Sequence, residues 1–171
     1  MIVKKLVLGP LSTNCYLIIK DSNCLIVDPA DNIETIKKEL TSLNLIGILV
    51  THYHFDHIGA LEELKQHYNV PIYDYSTDNI NVENFDFKII HNPGHTSDSV
   101  TFYFKNEKIM FVGDFIFKET IGRTDLETGN MLDMQESLNM IKKYDDDTIL
   151  YPGHGESTTL VYERHNNVYF N

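Results

Sequence analysis

Apolar and polar residues alternate with a period close to two through the first quarter of the chain. The runs are Ile2-Val3-Lys4-Lys5-Leu6-Val7-Leu8, then Asn14 to Lys20, then Asn23 to Val27. Gly9-Pro10 and Asp21-Ser22-Asn23 punctuate them, so the pattern predicts three strands joined mostly by hairpins. From Asp31 the spacing changes. Ile33, Ile36, Leu40 and Leu43 recur at helical intervals behind an Asp/Asn cap, which predicts a helix closing near Asn44. Gly47 to Val50 then reads as a short apolar strand, Ala60 to Tyr68 as a second helix, and Pro71-Ile72-Tyr73 as another strand.

The second half keeps this rhythm. Strands are predicted at Phe87 to His91, Val100 to Phe104, Ile109 to Val112 and Thr148 to Tyr151, with helices from about Leu132 to Tyr144 and Thr158 to Asn166. The Asn- and Asp-rich stretch from Thr77 to Asp86 reads as a surface loop. Each sheet must bury an apolar face and each helix an apolar stripe, so meandering strands interleaved with amphipathic helices suggest two sheets packed face to face with helices outside. Neither a linker nor an internal repeat is visible, and 171 residues suit a single domain spanning 1–171.

Composition narrows the partners. Asp and Glu number 25 against 14 Lys and Arg, a net charge of −11 that repels phosphate backbones and anionic membranes, so neither nucleic acid nor a membrane is an expected partner. No apolar run approaches the roughly 18 residues of a membrane span, and Met1 to Gly9 lacks the pattern of a secretory signal. Cys15 and Cys24 are the only cysteines; they form no C-x-x-C and read as buried thiols, which suits a cytoplasmic, reducing compartment.

The densest chemistry follows the Gly47 to Val50 strand. Thr51-His52-Tyr53-His54-Phe55-Asp56-His57 holds three imidazoles and a carboxylate within six residues. Imidazole is the commonest neutral metal ligand and carboxylate supplies charge, so one turn of this kind can aim donors at two adjacent metal positions. Pro93-Gly94-His95-Thr96, Val112-Gly113-Asp114 and Pro152-Gly153-His154-Gly155 each add a candidate ligand at a predicted strand end, beside a glycine that permits a tight turn. Asp28, before Pro29, is either a turn residue or a carboxylate that orients a ligand histidine from behind. His67, His91 and His165 lie outside these segments and read as surface or helix-end histidines, and Asp145-Asp146-Asp147 as a solvated turn.

In this order the residues resemble the metallo-beta-lactamase fold superfamily, whose pattern T-H-x-H-x-D-H, lone His, G-D and G-H is matched from Thr51 to His154. The resemblance implies a four-layer αββα sandwich. It also implies one metal held by His52, His54 and His95, a second held by Asp56, His57 and His154, and Asp114 bridging both. Zinc is the expected ion, with iron or manganese as alternatives. Asn14-Cys15-Tyr16, Val27-Asp28-Pro29, Gly122-Arg123-Thr124-Asp125 and the Tyr151 to Gly155 segment look like the short glyoxalase II-like hydrolases, which act on thioesters such as hydroxyacylglutathione. The implied reaction is attack of a metal-bound hydroxide on a small-molecule thioester, with Asp56 orienting the hydroxide and taking its proton. Only 17 residues follow His154, so no separate C-terminal glutathione-binding domain is expected. Arg123 becomes the candidate for gripping a carrier carboxylate.

Three other branches fit less well. Persulfide dioxygenases, which use a single iron, share the G-R-T-D segment but are expected to carry alanine and aspartate where this chain has Gly153 and Gly155. A beta-lactamase would often have cysteine in place of Asp114, and a flavodiiron protein glutamate in place of His54. A metal-binding module without catalysis would be expected to lack a ligand, and all seven positions are filled.

Overall fold

The computed structural model describes residues 1–78, 80 and 82–170. Strands β1 (Ile2–Leu8), β2 (Thr13–Lys20) and β3 (Asn23–Val27) form an antiparallel meander, and β4 (Asn44–Leu49) and β5 (Ile72–Tyr73) extend it in parallel, in the order β1-β2-β3-β4-β5. The two parallel steps are crossed by helices α1 (Ile33–Glu39) and α2 (Leu61–Tyr68), as parallel neighbours require. The second sheet is built from β6 (Lys88–His91), β7 (Val100–Phe104) and β8 (Ile109–Gly113). A small hairpin follows, β9 (Ile116–Phe117) with β10 (Thr120–Ile121), and then helix α3 (Met131–Ile141). Strand β11 (Ile149–Pro152) lies parallel to β8, and β12 (Thr158–Thr159) closes the order β12-β11-β8-β7-β6 before helix α4 (Leu160–Asn166).

Alternation along single strands explains the layers. In β2 and β3, Cys15, Leu17, Cys24 and Ile26 face Ile36, Leu61 and Leu64 of the first two helices, whereas Tyr16, Ile18, Leu25 and Val27 face Phe102, Phe104 and Phe111 of the second sheet. On the far side of that sheet, Met110, Val112 and Leu150 pack against Met134, Leu138 and Ile141 of α3. Three apolar interfaces between four layers make an αββα sandwich. Among the described residues no helix is long and apolar enough to cross a membrane.

The first helix is shorter than its apolar spacing predicts. The Leu40 amide bonds to both Ile36 and Lys37 carbonyls, tightening the last turn, and Leu43 reaches the same apolar cluster from a turn. The next strand begins early, at Asn44, because its amide bonds to the Ser22 carbonyl and the β3 edge captures the chain. Cys15 lies opposite Leu6 and Cys24 opposite Ile19, so the two thiols are not cross-strand partners; both are free and buried, and burial pushes Cys24 up to about 12. Of the stretch from Thr77 to Asp86, Asn79 and Asn81 lie outside the described residues, while Val82 and Phe85 pair in a short bridge with Phe85 buried. Arg164 donates to the Lys142 and Tyr144 carbonyls and pairs with Asp146, which closes the end of α3.

Candidate metal centre

β4, β6, β8 and β11 all end at one edge of the sandwich, and each hands the chain to a loop carrying candidate ligands. The turn after β4 brings His52, His54, Asp56 and His57; the loop after β6 brings His95, the end of β8 brings Asp114, and the end of β11 brings His154. Two backbone hydrogen bonds run from sheet to sheet at this edge, Val100 N–H to Thr51 O at 2.9 Å and Asn14 N–H to Gly153 O at 2.7 Å.

The seven side chains predicted from sequence converge. His54 Nδ1 lies 3.1 Å from His52 Nε2 and 3.0 Å from His95 Nε2, so three ring nitrogens share one point. Asp56, His57 and His154 form a second group, with His154 Nε2 3.3 Å and His57 Nε2 3.6 Å from Asp56 Oδ2. Asp114 stands between them: Oδ1 is 3.3 Å from His57 Nε2, and Oδ2 is 3.6 Å from both His95 Nε2 and His154 Nε2.

These donors suit cations. Lone pairs brought this close repel unless a positive charge lies among them, and His57 Nε2 and Asp114 Oδ1 are buried without any hydrogen-bond partner. The outward nitrogens are engaged: His95 Nδ1 donates to Arg123 O at 2.8 Å and His57 Nδ1 to Asp28 Oδ2 at 2.9 Å, which turns each Nε2 lone pair inward. Burial and the neighbouring imidazoles, His57 first, hold His52 well below the ordinary histidine range, and burial with His95 lowers His54. Burial also works against a charged His57, but Asp114 and Asp28 outweigh it and lift the imidazole to about 10.

Behind the ligands lies a single buried carboxylate. Asp28, at φ 48°, accepts from the Thr51 amide at 2.8 Å, the Thr51 hydroxyl at 2.6 Å and His57 Nδ1. Because the Thr51 hydroxyl gives its proton to Asp28, it is free to accept from His52 Nδ1, 3.1 Å away. Asp28 therefore orients His57 directly and His52 through Thr51. We expect Asp28→Asn, which keeps the shape but turns an amide N–H₂ toward these donors, to weaken metal binding by about 10- to 100-fold. Titration of the stripped variant with zinc would check this, and unchanged affinity would reduce Asp28 to a turn residue.

Sequence reasoning missed Thr51's role and missed Thr13 altogether. The Thr13 hydroxyl donates to Asp56 Oδ2 at 2.7 Å, and Asn14 Nδ2 and Tyr16 Oη hold the Pro152 carbonyl at 2.9 and 2.6 Å, anchoring the His154 loop to β2. The available signal was a pair of polar residues, Thr13 and Asn14, opening an otherwise apolar strand. Gly153 has a steric reason: a Cβ there would run into Asp114 Oδ1 and the His57 ring. Arg123 lines the cleft over the ligands, but its guanidinium makes two hydrogen bonds to Asp125, at 2.7 and 2.8 Å. His67, His91 and His165 are exposed and lie apart from the cluster.

A family model described as the metallo-beta-lactamase superfamily matches residues 8–79 and 73–154. The chain is 32% identical to the hydroxyacylglutathione hydrolase GloC of Haemophilus influenzae, with 92% of each covered. Among solved structures it is similar to the BLEG-1 B3 metallo-beta-lactamase, with TM-score 0.95 and 29% identity over 99% of this chain and 100% of that one. TTHA1623, solved in a di-iron-bound form, gives TM-score 0.87 and 29% identity over 98% of this chain and 100% of that one. ETHE1 from Myxococcus xanthus gives 0.90 and 26% over 98% and 84%.

Proposed function

The chain belongs to the metallo-beta-lactamase superfamily, and from that premise we propose that it is a metal-dependent hydrolase that cleaves thioesters. The observation that carries this reading is that the Asp114 carboxylate lies within 3.6 Å of His95 from one donor set and of both His57 and His154 from the other, so that the two sets adjoin across it. His52, His54 and His95 would hold one divalent ion, Asp56, His57 and His154 the other, with Asp114 shared. Zinc suits these nitrogen and oxygen donors, and iron or manganese would also fit. When bound, such ions would lower the pKa of a coordinated water toward neutrality and polarise a carbonyl oxygen.

The protein supplies position and proton transfer. Thr13 fixes the Asp56 carboxylate beside His57 and His154, where it orients the attacking water and accepts a proton from it. The carbonyl carbon gains that oxygen, the C–S bond breaks with its electron pair on sulfur, and the proton goes to the departing thiolate. A carboxylic acid and a free thiol result. Arg123, which lines the cleft, would hold a carboxylate of the thiol carrier by exchanging Asp125 for the ligand. Likeness to GloC, a hydroxyacylglutathione hydrolase covered over nearly its whole length, supports this choice of substrate class.

The single-iron persulfide dioxygenases that the G-R-T-D segment also resembles give a second reading. Gly153 favours the hydrolase, since the alanine expected in the dioxygenases would press on Asp114 and His57 of the second donor set. Metal analysis with parallel assays separates the two. We expect close to two metals per chain and measurable cleavage of S-lactoylglutathione, without oxygen uptake on glutathione persulfide. One iron per chain with oxygen uptake and no thioester cleavage would overturn the proposal.

A further inference from the structure

The cleft over the candidate ligands, a cavity of about 340 Å³, is apolar on its walls. Leu11, Phe55 and Leu126 stand around His54, Asp56, His95, Asp114 and His154. Phe55 is 73% exposed and Leu11 52%, although each lies beside buried chemistry. Exposed apolar side chains gathered around a cleft mark a surface built to be covered by a ligand.

The two sides of this cleft differ. On one, Arg123 and Leu126 belong to the loop before α3, and Arg123 is the one cationic side chain, apart from the histidines, among the described lining residues. On the other, Phe55 and Asp56 are shared with a second hollow of about 250 Å³, which is lined also by Gly9, Pro10, Ala30 and Gly59, and Leu11 of the cleft follows Pro10 in the chain. Its remaining charged neighbour is Asp31, an anion. A thiol carrier that bears carboxylates is repelled from that side and attracted to Arg123. Biological thiol carriers are polar within a few atoms of the sulfur, so the arm of a thioester that can offer apolar surface is its acyl arm.

Resting on the thioesterase reading, we infer that the substrate carries an apolar acyl chain, which lies along Leu11 and Phe55 and enters that second hollow, while the thiol carrier runs past Leu126 and Arg123. The hydroxyl-bearing lactoyl group is then a poor fit for this wall. Each methylene buried there raises kcat/KM through transfer from water, by about two- to fourfold for half to full burial.

The test is a chain-length series on one carrier, S-acetyl-, S-butyryl- and S-hexanoylglutathione, compared with S-lactoylglutathione on the zinc-loaded protein. We expect kcat/KM to climb about 4- to 16-fold with each pair of methylenes and the lactoyl ester to fall below the butyryl ester. Phe55→Ser and Leu11→Ser, confirmed by metal analysis to keep their ions, should flatten the climb, whereas Val168→Ser, which removes a 71% exposed apolar side chain outside the lining of the cleft, should leave it unchanged. A flat or falling series with good turnover overturns the acyl-chain assignment and leaves the hydrolase standing. Loaded protein that cleaves none of the four overturns both.

Discussion

Replacing Asp56 by asparagine is expected to lower kcat/KM for thioester cleavage by about two to four orders of magnitude at saturating zinc while leaving the melting temperature of the metal-free protein nearly unchanged. The amide keeps the volume and can still accept the Thr13 hydroxyl bond through its oxygen, so the 51–60 turn keeps its anchor to β2. What it loses is the negative charge and the ability to take a proton. Thr13→Val gives the complementary result, because the carboxylate remains but its orientation relaxes. A smaller fall in rate with unchanged metal content would be seen. An asparagine variant that cleaves at close to the parental rate with both metals bound would mean that the proton goes elsewhere.

Stripping the metals is expected to lower the melting temperature by about 10 to 20 °C. Two ions, each at about a hundred times its dissociation constant, together contribute about 5 kcal/mol to the folded state, and a chain of this size loses about 2 to 4 °C per kcal/mol. The gap should depend on pH, and its sign follows from His57. In the stripped protein His57 is lifted from an ordinary 6.5 to about 10. It therefore adds stability that is fully present below 6.5 and is lost as pH rises through about 10. His52 and His54, both lowered, act oppositely and remove stability only on the acid side of 6.5. Metal binding needs the His57 proton gone, so affinity strengthens over the same interval in which the stripped protein weakens. Calorimetry at pH 6.5, 8 and 9.5 should show the gap between loaded and stripped protein widening. A gap that narrows would place the proton on another group.

The sequence was most legible where one physical rule dominates. The period of two marked β2 and β3 as strands, and the fold then divides Leu17 and Ile26 from Tyr16 and Leu25 because a sheet buried on both faces must split its residues. The seven donors were legible because histidine and aspartate at strand ends have few structural reasons to cluster. Short elements were not. The 116–121 hairpin and β12 consist of two-residue strands, too short for any period, and they exist because neighbouring chain supplies their hydrogen bonds. The extent of α1 was misjudged for a related reason: Leu40 and Leu43 obey helical spacing, yet the competing pull of β3 on Asn44 ends the helix early. Thr13 and Thr51 escaped notice as site residues because hydroxyls act by where they point, and only the folded chain places them between a carboxylate and a ligand.

The two backbone hydrogen bonds that cross between the sheets, from Val100 to Thr51 and from Asn14 to Gly153, sit on the same edge as the ligands. Four of the donors hang from the first sheet and three from the second, so ions bound among them would clamp the seam that these amides span. Peeling the sheets apart there would expose both amides and break both donor sets in one event. In hydrogen exchange, then, the Val100 and Asn14 amides form a single cooperative reporter: slow together while the clamp is closed, and released together when it opens.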